Sequence, residues 1–331
     1  MCGVARKGQD AVVTLPASIR ATDPSMTDKV VVVSSTAPIQ VNTINTGSCG
    51  SYLVLPMDAL GTSYVVSTWA PNVEQNEESF YAVIATQADT TLTIETLGVE
   101  ETIVVAAAFE SYTVNSPSDL SGTLIAADKP VAVITGNPDT RLLETTDISD
   151  YLISYLWPTP YWGSQHVVPA IPGTDAPYAI KITTSVFTEV RIYGDSYFVV
   201  QAGGFVLKQM SSNEAIYMES SAPIQVVQYA PQEVSAGRAF SAPASIVIPA
   251  VARYASDVFF TTPFQTGSFA HYVTVIIDRD HVEGLLLDTQ PVILPDVIPA
   301  IHARTNLVTL TFTVSDVACY FLSFKQLYLR Y

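Results

Sequence analysis

Apolar residues in this chain come in short runs, each alternating with small or polar neighbours. Phe80-Tyr-Ala-Val-Ile-Ala-Thr86, Thr91-Leu-Thr-Ile-Glu95, Tyr178-Ala-Ile-Lys-Ile-Thr-Thr184 and His271-Tyr-Val-Thr-Val-Ile-Ile277 are typical. Pro, Gly, Asp, Asn and Ser separate the runs, and a helical spacing of apolar positions is nearly absent. Branched and aromatic residues at period two, with turn residues between, predict short β-strands. Further strands are expected at 11–15, 18–21, 30–34, 39–44, 307–312 and 319–324.

One stretch recurs. Ser35-Thr-Ala-Pro-Ile-Gln-Val41, Ala127-Asp-Lys-Pro-Val-Ala-Val133 and Ser221-Ala-Pro-Ile-Gln-Val226 each place a proline between a polar turn and an apolar alternation. Pro38, Pro130 and Pro223 stand 130 − 38 = 92 and 223 − 130 = 93 residues apart. Such a period predicts one structural unit copied three times. Each motif reads as the turn of an opening hairpin. The expected layout is a leader at 1–10 and a single repeat-built domain over 11–331. Its repeats cover about 25–117, 118–210 and 211–305, and closing strands at 306–331 pack against the strands at 11–21. Buried strand faces and hidden edges have two solutions at this period. One is a closed, propeller-like array of small antiparallel sheets, favoured because no flexible linker separates the copies. The alternative is three tandem β-sandwiches.

The chain has 331 residues, 48% hydrophobic and 14% charged, which fits a well-packed fold and argues against disorder. Its net charge is −16, with 15 Lys and Arg against 31 Asp and Glu. Nucleic-acid binding needs a phosphate-neutralising patch, so it is set aside. No apolar run reaches transmembrane length, so no membrane insertion is expected. Three cysteines are too few for a disulfide framework; Cys49 and Cys319 are candidates for pairing, isolated thiols being the other reading. The start, Met1-Cys-Gly-Val-Ala-Arg-Lys-Gly, has no apolar core of signal-peptide length.

The order of these strands resembles a known family. The Ala127-Asp-Lys-Pro-Val-Ala-Val133 stretch, the Tyr52-Leu-Val-Leu-Pro56 block with Leu60-Gly-Thr-Ser-Tyr-Val-Val66, and Phe80–Thr86 followed by Thr90–Ile94 are similar to the N-terminal domain of the IgG-Fc-binding protein family. The likeness runs from about residue 28 to about residue 290. The resemblance implies a secreted or cell-surface adhesion and scaffold module that binds a protein or glycan partner and is not an enzyme. In animals such modules open large mucus proteins with von Willebrand type D repeats; this chain lacks the Cys-rich repeats. Two other functions compete: a structural subunit of a surface filament or layer, which would oligomerise, and a propeller-type hydrolase with a dispersed carboxylate site.

Chemistry-bearing motifs are sparse. No two of His166, His271, His281 and His302 stand at metal-ligand spacing, and no nucleophile elbow or phosphate loop is present. No cofactor is expected. Glu74, Glu77 and Glu78 crowd one loop, and Glu144, Asp147 and Asp150 another, so Ca²⁺ is a weak candidate beside the plainer reading of solvated acidic loops. The best binding lead is Tyr155-Leu-Trp157-Pro-Thr-Pro-Tyr161-Trp162, four large rings around two prolines. Prolines hold such rings in few conformations, which suits a contact surface. The same spacing in the first copy, Leu55-Pro56 to Leu60-Gly61, reads as a core-packing turn, and that reading stands for these rings too.

Overall fold

The computed structural model describes residues 11–19, 25–45, 50–142, 149–174, 176–210, 215–230, 234–235, 238–239, 243–262, 270–293, 301, 304–315 and 319–324. The leader at 1–10 and the Cys49–Cys319 pairing fall outside what these residues describe, as do Glu144, Asp147 and His302. The protein is all-β, with short 3-10 turns as its helical pieces among the described residues. The first sheet has eight strands. It is built on the 17-residue strand Leu124–Thr140. The first part of that strand lies between Gly61–Val65 and Thr90–Thr96. The last part lies between Ser79–Ala85 and Asp150–Tyr155. Val99–Val105 and Ser111–Ser116 extend the two halves.

The neighbours change at Pro130, inside the motif that recurs. Proline has no N–H to give a ladder, so pairing breaks there. The chain nevertheless runs on in the same direction. At Pro130, and likewise at Pro223, the motif is therefore a bend in one continuous strand, and the hairpin expected there does not form; around Pro38 the motif lies in no strand. The sheet curls about this bend, and apolar side chains fill its interior: Tyr64, Val83, Leu92, Ile125, Val131 and Val133 are all buried.

The second sheet has seven strands and repeats the pairing of the first. Its long strand, Ile216–Ala230, pairs early with Gly163–Val168 and Thr188–Ile192. After Pro223 it pairs with Tyr178–Thr184 and Ala244–Ile248. Ser196–Val200 and Phe205–Met210 extend the halves as before. Ile180, Ile182, Val190, Met218 and Val226 form its interior.

The remaining strands form smaller sheets. His271–Asp278 pairs with Leu307–Val314. Cys319–Phe324 pairs with Asp257–Thr261 and Leu285–Leu287. Among the described residues the tail thus pairs with strands of the last third of the chain and makes no ladder with residues 11–19, where Ala17–Ile19 form a 3-10 turn. Residues 30–34 are also not a strand, and Val31, Val32 and Val33 are 45–55% exposed. Alternation marks a face for burial, but a strand forms only when another strand offers it bonds. The two main sheets are larger than the small blades expected, because each long strand serves both halves of its sheet.

Short turns join the sheets. Strand Ser51–Leu53, Pro56 and the 3-10 turn Met57–Ala59 lead into Gly61–Val65. Asp150–Tyr155, Pro158 and Thr159–Tyr161 lead into Gly163–Val168, and Ala244–Ile248, Pro249 and Val251–Arg253 lead into Asp257–Thr261. The opening strand of each block completes the sheet before it. A Cβ on Gly61 would sit 2.5 Å from Cβ of Pro158, and one on Gly163 would sit 2.5 Å from Cβ of Ala250. Successive blocks therefore interlock in the same way, and only glycine fits at each contact.

Lys181 ties the two sheets together. Its ammonium donates to the Thr68 carbonyl (2.6 Å), Asp119 Oδ2 (2.8 Å) and Ser121 Oγ (2.9 Å) while 1% exposed. Burial alone would raise the Asp119 carboxyl; the Lys181 charge and hydrogen bonds outweigh it and hold the group below its ordinary value.

Candidate binding surface

The Tyr155–Trp162 stretch forms the second of the joining turns. Pro158 caps it in extended conformation and Pro160 sits in its first turn, where a missing N–H costs nothing. The four rings do not share one exposure. Tyr155 and Trp162 are 9% and 7% exposed, so these two follow the core-packing reading and leave the contact surface. Tyr155 ends a strand on its inward face and contacts Tyr52, with ring centroids 5.8 Å apart. Trp162 folds back under the turn, its Nε1 donating to the Trp157 carbonyl at 3.0 Å. Trp157 and Tyr161 are half-buried and meet edge to face at 6.5 Å.

Arg253, from the next joining turn, completes this surface. Its guanidinium lies 5.2 Å from the Tyr161 ring and donates to the carbonyls of Pro160 (2.9 Å) and Tyr161 (3.1 Å). Nothing local in the sequence points to it, since it stands 253 − 161 = 92 residues beyond Tyr161. The block spacing is the one signal that could have found it.

The acidic loop does not converge. Asn72 caps a 3-10 turn by accepting from the Glu74 N–H. Glu77 is buried: one oxygen accepts from the Asn72 N–H (3.0 Å) and the Thr140 hydroxyl (2.7 Å), the other from Arg141 (3.1 Å). That carboxylate pins the loop to the end of the long strand and leaves the surface, a second correction. Glu74 and Glu78 stay exposed, and Glu78 accepts from Asn115 at 3.2 Å. Among the described residues no three His, Cys, Asp or Glu side chains lie close enough to hold a metal ion.

A recess opens beneath Trp157 and Tyr161, with His166, Gln225 and Pro249 in its wall. His166 is 1% exposed, and burial pushes its imidazole down to about 4. A second polar surface escaped notice in the sequence. On the outer face of Thr188–Ile192 and its neighbours, Gln165, Glu219, Arg191 and Tyr197 stand in one register row. Glu219 accepts from Tyr193 (2.5 Å) and Tyr217 (2.7 Å), whose rings stack at 5.5 Å. Those hydroxyls hold the Glu219 carboxyl below its ordinary value.

Comparison with known proteins adds the following. The profile of the family described as IgGFc binding protein matches residues 50–314. A human protein described as IgGFc-binding protein is 26% identical over 306 residues, which is 86% of this chain but 5% of the human one. No solved structure matches. No helix among the described residues is long and apolar enough to cross a membrane.

Proposed function

The chain belongs to the IgGFc-binding protein family, and from that premise we propose that it is a non-enzymatic extracellular module that binds a protein partner. The observation that carries this reading is the family match over residues 50–314. The contact we assign is the surface of Trp157, Tyr161 and Arg253. Two half-exposed rings and a guanidinium, fixed by a proline-rich turn, lose little entropy on contact, and Trp, Tyr and Arg dominate interface energetics. Tyr155 and Trp162 hold that surface from below. Glu74 and Glu78 offer a second contact, suited to a basic patch on the partner; Glu77 keeps their loop in place.

The human relative is named for binding the Fc region of IgG, so Fc is the first partner to test. Surface plasmon resonance against Fc, with a glycan array beside it, reads both ligand classes. Trp157→Ala and Tyr161→Ala should each weaken protein binding about tenfold or more. Full affinity in both variants would move the contact elsewhere, and binding on the glycan array alone would replace the protein partner with a glycan.

We also read the architecture as one unit copied three times. Asn42, four residues after Pro38, pairs with Leu53, three before Pro56. Ile134, four after Pro130, pairs with Tyr155, three before Pro158. These matching offsets support copying of the first two; in the third, Val227, four after Pro223, pairs with Val247, two before Pro249. Closure of the copies into a ring is the finer part of this proposal. A second functional reading, a filament or layer subunit, draws on the exposed Val31–Val33 stretch; a purely monomeric protein at all concentrations in size-exclusion chromatography would count against it.

A further inference from the structure

A strand at the side of a sheet leaves one row of N–H and C=O groups without partners. In the first sheet Ser111–Ser116 is such a strand, paired inward with Ser79–Ala85. Its outer side is partly covered. Met26 pairs with Tyr112 and Thr27 with Ser111, antiparallel, and the Thr113 N–H donates to the Ser25 carbonyl at 3.2 Å. A short extended piece of chain has been laid along that edge.

The second sheet holds the matching strand, Phe205–Met210, paired inward with Tyr178–Thr184. Among the described residues nothing pairs with its outer side. Such edges are usually guarded by charge or proline. The outer strand Val99–Val105 of the first sheet is guarded, with Glu100 and Glu101 exposed. Phe205–Met210 contains no proline and no carboxylate. Its one charge, Lys208, is held by Asp195 at 2.5 Å. Phe205 and Leu207 are 39% and 47% exposed.

The chain carries the opposite deficit as well. Just beyond Met26–Thr27, the exposed Val31, Val32 and Val33 lie in no strand. Branched side chains suit a pleated surface, yet no ladder receives these. Asp28 and Lys29 beside them offset each other in charge. The acidity of the chain as a whole is therefore not concentrated on either segment.

Building on the filament or layer reading above, we propose that Val30–Ser34 of one copy adds as an antiparallel strand to the outer edge of Phe205–Met210 in a second copy. Main-chain hydrogen bonds hold the added strand. Its side chains alternate between faces, so every second valine lies on the face of Phe205 and Leu207. Donor segment and acceptor edge are different surfaces, so each copy gives one contact and receives another, and association continues beyond a dimer.

Sedimentation velocity of the full chain over about a hundredfold range of concentration tests this. Val32→Pro spoils the donor and Leu207→Asp charges the acceptor edge. Wild type should grow past a dimer as concentration rises, and each variant alone should stay monomeric. An equimolar mixture of the two variants should form heterodimers and stop there, because Val32→Pro keeps a good edge and Leu207→Asp a good donor. A mixture that stays monomeric would overturn the proposal. Association that survives in Val32→Pro would overturn it too, while leaving the filament or layer reading standing. A wild type monomeric at every concentration would remove both. Val32 lies in no strand, so Val32→Pro keeps the fold and decides the matter if Leu207→Asp does not fold.

Discussion

Acidification should weaken this fold through one residue. In the unfolded chain His166 takes up a proton near its ordinary value of 6.5; in the folded chain burial pushes it down to about 4. The sign follows from which state binds the proton first. Above 6.5 both states are neutral and the contribution is constant. Between 6.5 and about 4 only the unfolded chain is protonated, so stability falls as pH falls. Below about 4 both bind, and the loss levels off. The gap of about 2.5 converts to roughly 3 kcal/mol at 1.36 kcal/mol per pH. No Asp, Glu, Lys or Arg lines the recess to alter this. Chemical denaturation at pH 7, 6, 5 and 4, for wild type and His166→Tyr, isolates the effect. Asp119, whose carboxyl is held below 3.8, loses its proton-linked stability only at lower pH and does so equally in both proteins. The difference between the two proteins should change by about 3 kcal/mol across the range. A difference constant from pH 7 to pH 4 would refute the desolvation argument.

Other outcomes follow from the packing. Lys181→Met leaves the partly buried Asp119 without its cation and should cost about 2–4 kcal/mol, with partial recovery in the Lys181→Met, Asp119→Leu double variant, read by urea denaturation. Gly61→Ala drives a methyl against Pro158 and should cost about 1–3 kcal/mol; Gly163→Ala, meeting Ala250, should behave alike, and unequal costs would weaken the equivalence of the two joints. Glu77→Gln removes the charge that accepts from Arg141 and should cost about 1–3 kcal/mol, while Glu74→Gln, at an exposed site, should stay within about 0.5 kcal/mol in the same assay.

The strands of 79–96 and 178–192 were legible because their alternation is dense and their turns are marked. Pro130 and Pro223 each stand where a long strand changes its neighbours. The run of branched valines at 30–34 misled, because no neighbouring strand supplies it hydrogen bonds. Proline at 130 was read as a reversal, since a missing N–H marks a break in a ladder without saying which way the chain then runs.

The amino-acid pattern by itself determined that this protein is all-β, where most strands begin and end, and which side chains share a face, because those follow from neighbours a few residues apart. Tertiary structure alone decided that one long strand serves both halves of a sheet. It also decided that Trp162 and Glu77 turn inward while Trp157 and Glu74 do not, and that Lys181 meets Asp119 and Arg253 meets Tyr161. Each of those outcomes depends on which surface arrives from dozens of residues away, and periodicity says that a face will be covered without saying by what.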